Sequence, residues 1–209
     1  MMGPWIYVAL FAVIFCETGL VVTPFLPGDS LLFALGALTA VSSAAGEAGT
    51  IAQESVLNFS LLAGLLILGA IMGDMVNYTI GRWLGMKLFK NPNSKILNPA
   101  HVNRTHEFYE KHGGKTVVIA RFLPILRTYA PFVAGVGRMR FTHFASFSVF
   151  GGILWILSFL TLGHYFGNQP IVKANFQYVI LAIVVISVIP AVIEVLRVRF
   201  GKVGTVENK

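Results

Sequence analysis

Residues 116–137 read TVVIARFLPILRTYAPFVAGVG, and their flanks decide the fold. Lys111 and Lys115 precede this apolar stretch, and Arg138 and Arg140 follow it. Basic residues mark the cytoplasmic ends of membrane segments. Both ends therefore lie on one side, and the stretch cannot cross once. It also holds Pro124 and Pro131, which break a continuous helix. The expectation is a re-entrant hairpin over 116–137 that enters from the inside.

Working outward from it, 141–166 crosses away from the cytoplasm, Lys173 sits in a short outer loop, and 176–196 crosses back. The tail 197–209, with Arg197, Arg199 and Lys202, ends in the cytoplasm. In the other direction, 83–115 is a polar cytoplasmic segment with one surface helix, capped by Asn98, with Pro99 in its first turn and Gly113-Gly114 at its end. Residues 56–82 form a full span whose inner end carries Arg82, Lys87 and Lys90. Residues 46–55 carry Glu47 and Glu54 and face outward. Residues 5–45 form a first hairpin, broken by Thr23-Pro24-Phe25-Leu26-Pro27-Gly28-Asp29. Its arms are slightly short of the ~20 residues a crossing helix needs. The N-terminus has no basic n-region and no A-x-A-like cleavage site, so the first apolar run is expected to be retained.

Composition agrees. The chain has 209 residues, 56% hydrophobic, with mean hydropathy +0.74. Only 12% are charged, against roughly a quarter in soluble domains. The fold class is an all-α membrane protein with two opposed re-entrant hairpins and about three full spans. The net charge of +7 lies in loops and tail, apart from the aromatics, which argues against nucleic-acid binding. Cys16 is the only cysteine, reads as a small buried hydrophobe, and excludes a cysteine metal cluster. His101, His106 and His112 are spaced off one helix face, so no metal is expected.

Phe25-Leu26-Pro27 recurs as Phe122-Leu123-Pro124, 97 residues later. Gly81 with Gly85, and Gly163 with Gly167, end the two following spans. The two halves form an inverted repeat, the plan of many secondary transporters.

Inside these hairpins lie Glu17, Asp29, Arg121 and Arg127. A charge at the centre of a membrane helix costs roughly 2.5–3.5 kcal/mol. Four such groups unpaired would cost on the order of 10 kcal/mol, comparable to a domain's stability. Two acids and two bases can compensate across the repeat interface. Structural roles stand beside functional ones. Asp29 can cap the second half-helix. Glu17, six residues before the breaker cluster, has no capping role but can form a static salt bridge. The arginines straddle Pro124 and can satisfy carbonyls freed there. Asp74, in Gly73-Asp74-Met75-Val76-Asn77-Tyr78, can bond Asn77 or Tyr78, pair with an arginine, or relay protons. Functionally, guanidinium forks suit a lipid phosphate, which assigns Arg121 and Arg127 to substrate binding. Glu17, Asp29 and Asp74 are the proton-coupling candidates. Pro27, Gly28 and Pro124 are the hairpin-turn residues. No G-x-S-x-G elbow, H-E-x-x-H or P-loop is present, and no nucleophile is placed with a base, so an enzyme is not expected.

At these residues the sequence resembles the bacterial DedA family, also called the SNARE-associated or VTT-domain family. The resemblance is carried by Phe15-Cys16-Glu17-Thr18-Gly19 with Pro24 to Leu32, by Gly73-Asp74 through Gly81-Arg82, and by Ala120 to Arg127. It implies an inner-membrane protein that translocates lipid in a manner linked to the proton motive force. The cargoes proposed for the family are undecaprenyl phosphate and phospholipids such as phosphatidylethanolamine. It also implies that the positions matching Glu17, Asp29, Arg121 and Arg127 are required. Only sixteen residues precede Glu17, where family members carry more. The expectation is a proton-linked lipid flippase or scramblase without cofactor, with lipids and protons as partners and a homo-oligomer left open. The rivals are a proton-coupled small-cation antiporter and a structural, membrane-organising protein.

Overall fold

The computed structural model describes residues 5–20, 28–47, 57–89, 114–175 and 178. Among them all regular structure is helical: α1 (Trp5–Gly19), α2 (Gly28–Glu47), α3 (Phe59–Phe89), α4 (Lys115–Ala120), α5 (Pro124–Val136), α6 (Phe141–Gly167) and α7 (Pro170–Ala174). Pro27, the surface helix expected within 83–115, the three histidines on it, the 176–196 span and the 197–209 tail lie outside the described residues, Tyr178 apart.

Local chemistry explains most of the boundaries. Asn58 caps α3, its Oδ1 accepting the Leu61 N–H at 3.0 Å. Leu123 is extended and Pro124 opens α5, where a missing N–H costs nothing. Pro131 behaves differently from expectation: it lies within α5 and does not end it. Pro131 offers no N–H to the Arg127 carbonyl four residues earlier, and the adjacent Thr128 carbonyl accepts from the Asn77 amide of α3 at 2.8 Å. At the far end of α5, Arg138 takes the left-handed conformation (φ 55°), and the Met139 N–H closes the helix on the Ala134 carbonyl at 3.1 Å. Helix α3 runs past the expected limit at residue 82 to Phe89, because Arg and Lys favour helix and do not terminate it.

Lengths separate the elements. At 1.5 Å per residue α3 and α6 reach ~46 and ~40 Å, enough for a ~30 Å hydrocarbon layer, whereas α4 and α5 reach ~9 and ~20 Å. Both α3 and α6 are also apolar enough to cross. Helix α2 is longer than the expected arm and runs on through Glu47.

Contacts fix the directions. Phe59 meets His164, Asp74 meets Ser148 and Tyr78 stacks on Phe144, so α3 and α6 are antiparallel. Phe11 and Phe15 of α1 lie at Gly69 and Gly73, so α1 runs parallel to α3. Gly114 lies at Phe147 and Val118 at Gly151, so α4 runs parallel to α6. Phe33 and Ala37 of α2 lie at Gly163 and Gly167 of α6, and Phe132 and Val136 of α5 lie at Gly81 and Gly85 of α3; both pairs are parallel. Directions therefore alternate along the chain. The first half runs up, down, up and the second half down, up, down. Each hairpin packs its first arm on its own long helix and its second arm on the other half's.

Burial is inverted relative to a water-soluble protein. Glu17, Asp74, Asn77, Arg121 and Arg127 are at most 3% exposed, while Leu68, Phe150 and Leu162 are more than half exposed. Water-soluble domains place charges outside and large hydrophobes inside. An apolar solvent reverses the preference. Cys16 follows the same logic: expected to be buried, it is exposed on the apolar outer face of α1, where a small hydrophobe is equally at home.

Candidate functional site

Two apolar clusters lie along the interface between the halves. One holds Ile14, Leu32, Leu62, Leu66, Trp155 and Leu160; the other holds Tyr78, Val117, Ala134, Met139 and Phe144. The charges occupy the layer between them. Asp74 stands fifteen residues from either end of α3 (59 and 89), so this layer is at the helix midpoint.

The layer contains two ion-pair groups. In the first, Arg127 of α5 donates from Nη2 to Glu17 Oε1 of α1 at 2.5 Å and from Nη1 to Asp29 Oδ1 of α2 at 2.7 Å. Trp155 of α6 completes it. Its indole N–H donates to the same Asp29 oxygen at 2.8 Å, and the guanidinium carbon lies 4.8 Å from its ring centroid, a cation–π distance. In the second, Arg121 ends α4 and pairs with Asp74 of α3. Ser148 of α6 donates to Asp74 Oδ2 at 2.6 Å and accepts from Arg121 Nη2 at 3.1 Å. The Arg121 side chain lies on the bare face of Gly151 and Gly152, where an added Cβ would sit 3.0 Å from its Cδ.

All five expected charged residues therefore share one layer. Glu17 forms a salt bridge to an arginine and Asp74 pairs with one, as expected; Glu17 and Asp29 both go to Arg127, and Asp74 takes Arg121. Asp74 bonds neither Asn77 nor Tyr78. The Tyr78 hydroxyl donates to the Met139 carbonyl and accepts from Arg82. Arg121 bonds the Ser148 carbonyl of α6, not a carbonyl at the Pro124 break. Glu17 does act as a cap after all: its Oε1 accepts the Gly28 N–H at 3.0 Å, the first N–H of α2. Sequence distance concealed this, because the donor comes from another helix. Gly28 opens α2, and it permits the approach, since a Cβ there would lie 2.1 Å from Glu17 Oε2.

Trp155, Ser148, Asn77 and the Gly151-Gly152 seat were not anticipated as site residues. A signal for most of them existed: positions 148, 151, 152 and 155 share one face of α6 at i, i+3, i+4, i+7 spacing. Small residues there interrupt an otherwise bulky span.

Several polar atoms in the layer are buried without a hydrogen-bond partner: Glu17 Oε2, Arg127 Nε, Arg121 Nε and Nη1, and Asn77 Oδ1. Unused donors and acceptors at such depth are expensive.

The VTT domain pattern matches residues 5–165, which contain every member of this layer. The chain is a membrane protein of the VTT-domain (DedA) family. It is 52% identical over 195 residues to Protein DedA of Escherichia coli strain K12, covering 93% of this chain and 84% of that protein. An uncharacterized membrane protein of Mycobacterium tuberculosis is 38% identical over 196 residues, covering 94% of this chain and 81% of its own. The inner membrane protein YqjA of E. coli K12 is 34% identical over 168 residues, covering 79% and 70%. No solved structure matches. In this VTT-domain protein the charged layer therefore lies in a membrane protein, and its cost follows the bilayer rules used above.

Proposed function

We propose that this VTT-domain protein is a carrier, not an enzyme, that moves a phosphate-bearing lipid across the bacterial inner membrane in a manner linked to protons. In this reading the α1–α2 and α4–α5 hairpins are re-entrant and dip in from opposite leaflets. The exposed basic residues Arg82, Lys115, Arg138 and Arg140 mark the cytoplasmic end, and the C-terminus lies on that side. Lipid tails would run along the apolar outer faces of α3 and α6 while the head group visits the charged layer.

One observation carries the reading. Three carboxylates face two guanidiniums in one layer at the midpoint of α3, with only Asp29 partly exposed, so its formal charge is one negative. Both arginines have the planar forks that suit a phosphate. A phosphate can take Arg127 only if Glu17 or Asp29 gives it up, and the carboxylate left behind then lacks its counter-charge. A bound proton restores the balance. Head-group loading and proton uptake are thereby tied together at Glu17 and Asp29, with Asp74 and Arg121 as the second station. Undecaprenyl phosphate and phospholipids such as phosphatidylethanolamine carry the required chemistry. No metal or cofactor enters this scheme.

The test is a leaflet-resolved assay on purified protein in vesicles. Labelled polyprenyl phosphate or phospholipid should change leaflets faster than in empty vesicles, and Arg127→Ala should remove the difference while the protein stays folded. Movement unaffected by both Arg127→Ala and Glu17→Ala would contradict the proposal. The surplus carboxylate favours one rival, a proton-coupled small-cation antiporter; cation-dependent proton flux without lipid movement would identify it. A purely structural role predicts that the same substitutions abolish folding.

A further inference from the structure

Asn77 lies at the centre of a ladder on α3. Its Nδ2 donates to the Thr18 carbonyl of α1 at 2.9 Å and to the Thr128 carbonyl of α5 at 2.8 Å. Thr18 directly follows Glu17, and Thr128 directly follows Arg127. One amide nitrogen thus touches the backbone beside both members of the 2.5 Å ion pair. Because both acceptors are carbonyls, the amide can face them only with its nitrogen, and Oδ1 is left buried without a partner.

One turn to either side, glycines bring the same two helices onto α3. At Gly73 an added Cβ would lie 1.9 Å from Thr18 Oγ1 and 2.8 Å from the Phe15 carbonyl of α1. At Gly81 it would lie 2.2 Å from the Phe132 carbonyl of α5. Residues 73, 77 and 81 share a face at i, i+4, i+8 spacing. The glycines set how closely α1 and α5 approach, but glycine contacts permit sliding along the axis. Hydrogen bonds at 2.8–2.9 Å resist it, since a displacement of about 1 Å along either bond breaks it and one across it bends its angle.

We infer that Asn77 is a positioning residue that fixes the axial register of α1 and α5 on α3, and so brings Glu17 and Arg127 together. Satisfying two carbonyls near helix breaks is the simpler role for a buried amide. It does not account for the choice of these two carbonyls, one beside each member of the ion pair. Only the transport arm of the test below rests on the lipid-carrier reading.

The test is a double-mutant cycle on the full-length protein in detergent, read as the thermal unfolding midpoint. If Asn77 acts through the pair, Asn77→Ser and Glu17→Gln are non-additive: the double variant should fall no further than the more severe single one. Thr39→Val, at the separate α2–α6 contact, should add fully to Asn77→Ser. Additive shifts for Asn77→Ser with Glu17→Gln would overturn the inference. Should Asn77→Ser fail to fold, Asn77→Gln, the same amide displaced by one methylene, replaces it in both cycles. In vesicles, Asn77→Ser should slow phospholipid movement at least tenfold. Coupling in the cycle together with a parent protein that moves no lipid would sustain the positioning role and defeat the carrier reading instead.

Discussion

Gly36 faces the Leu160 carbonyl and the His164 amide at the α2–α6 contact, just as Gly135 faces the Tyr78 carbonyl and the Arg82 amide at the α3–α5 contact. Adding 99 to Phe33, Gly36 and Ala37 gives Phe132, Gly135 and Val136, and adding 82 to Tyr78, Gly81, Arg82 and Gly85 gives Leu160, Gly163, His164 and Gly167. The backbone contacts of the two halves therefore correspond residue by residue. Their charges do not. The first half contributes Glu17, Asp29 and Asp74, and the second contributes Arg121 and Arg127. A repeat with like charges in both halves would place them against one another at its centre. Divergence to opposite charges lets the inverted pair of hairpins close over a layer that neither half could bury alone.

Five experiments sharpen or break this comparison. The largest effect is expected at the shared glycines. Gly36→Val and Gly135→Val should each abolish recovery of folded protein, because even a Cβ would sit 2.1–2.2 Å from a carbonyl oxygen. Size-exclusion profiles and expression level report this, and tolerance at one site but not its counterpart would break the equivalence of the halves. Next comes Arg127→Ala, which strands the buried Glu17 and the partly exposed Asp29 and should cost about 3–5 kcal/mol on unfolding while ending lipid movement. Arg121→Ala strands one carboxylate and should cost less. Trp155→Phe keeps a ring over Arg127 but removes the N–H to Asp29; a loss of about 1.5–3 kcal/mol is expected from denaturation curves. The smallest effect belongs to Thr39→Val. Thr39 bonds the Gly36 carbonyl at 2.6 Å and His164 Nδ1 at 3.0 Å in the uncharged contact. About 1 kcal/mol should be lost, with lipid movement unchanged.

The residues of the site were largely legible because a charge inside an apolar run is visible without a structure. The pairing was not. Asp74 meets Arg121 and Glu17 meets Arg127 across 47 and 110 residues, and no local pattern encodes which acid reaches which base. Glu17 has nothing to cap within its own helix, whereas the N–H it satisfies opens the next one. The sequence repeat is short for a related reason. The Phe-Leu-Pro motif recurs at 97 while the packed arms recur at 99, so two residues of slippage follow the motif. Beyond it, equivalence is carried by backbone approach at glycines and not by similar side chains. The role of Asn77 has no local sequence signal, because its acceptors are carbonyls on two other helices.

The carrier reading requires α4 and α5 to dip into the bilayer and return, so that Arg121 and Arg127 reach mid-depth from one side. Single cysteines replacing Lys115 and Arg140, in a Cys16→Ser background, can be labelled with a membrane-impermeant maleimide from either face. The account predicts that both label from the cytoplasmic face, with Trp5→Cys reacting only from the other. Labelling of positions 115 and 140 from different faces would contradict it.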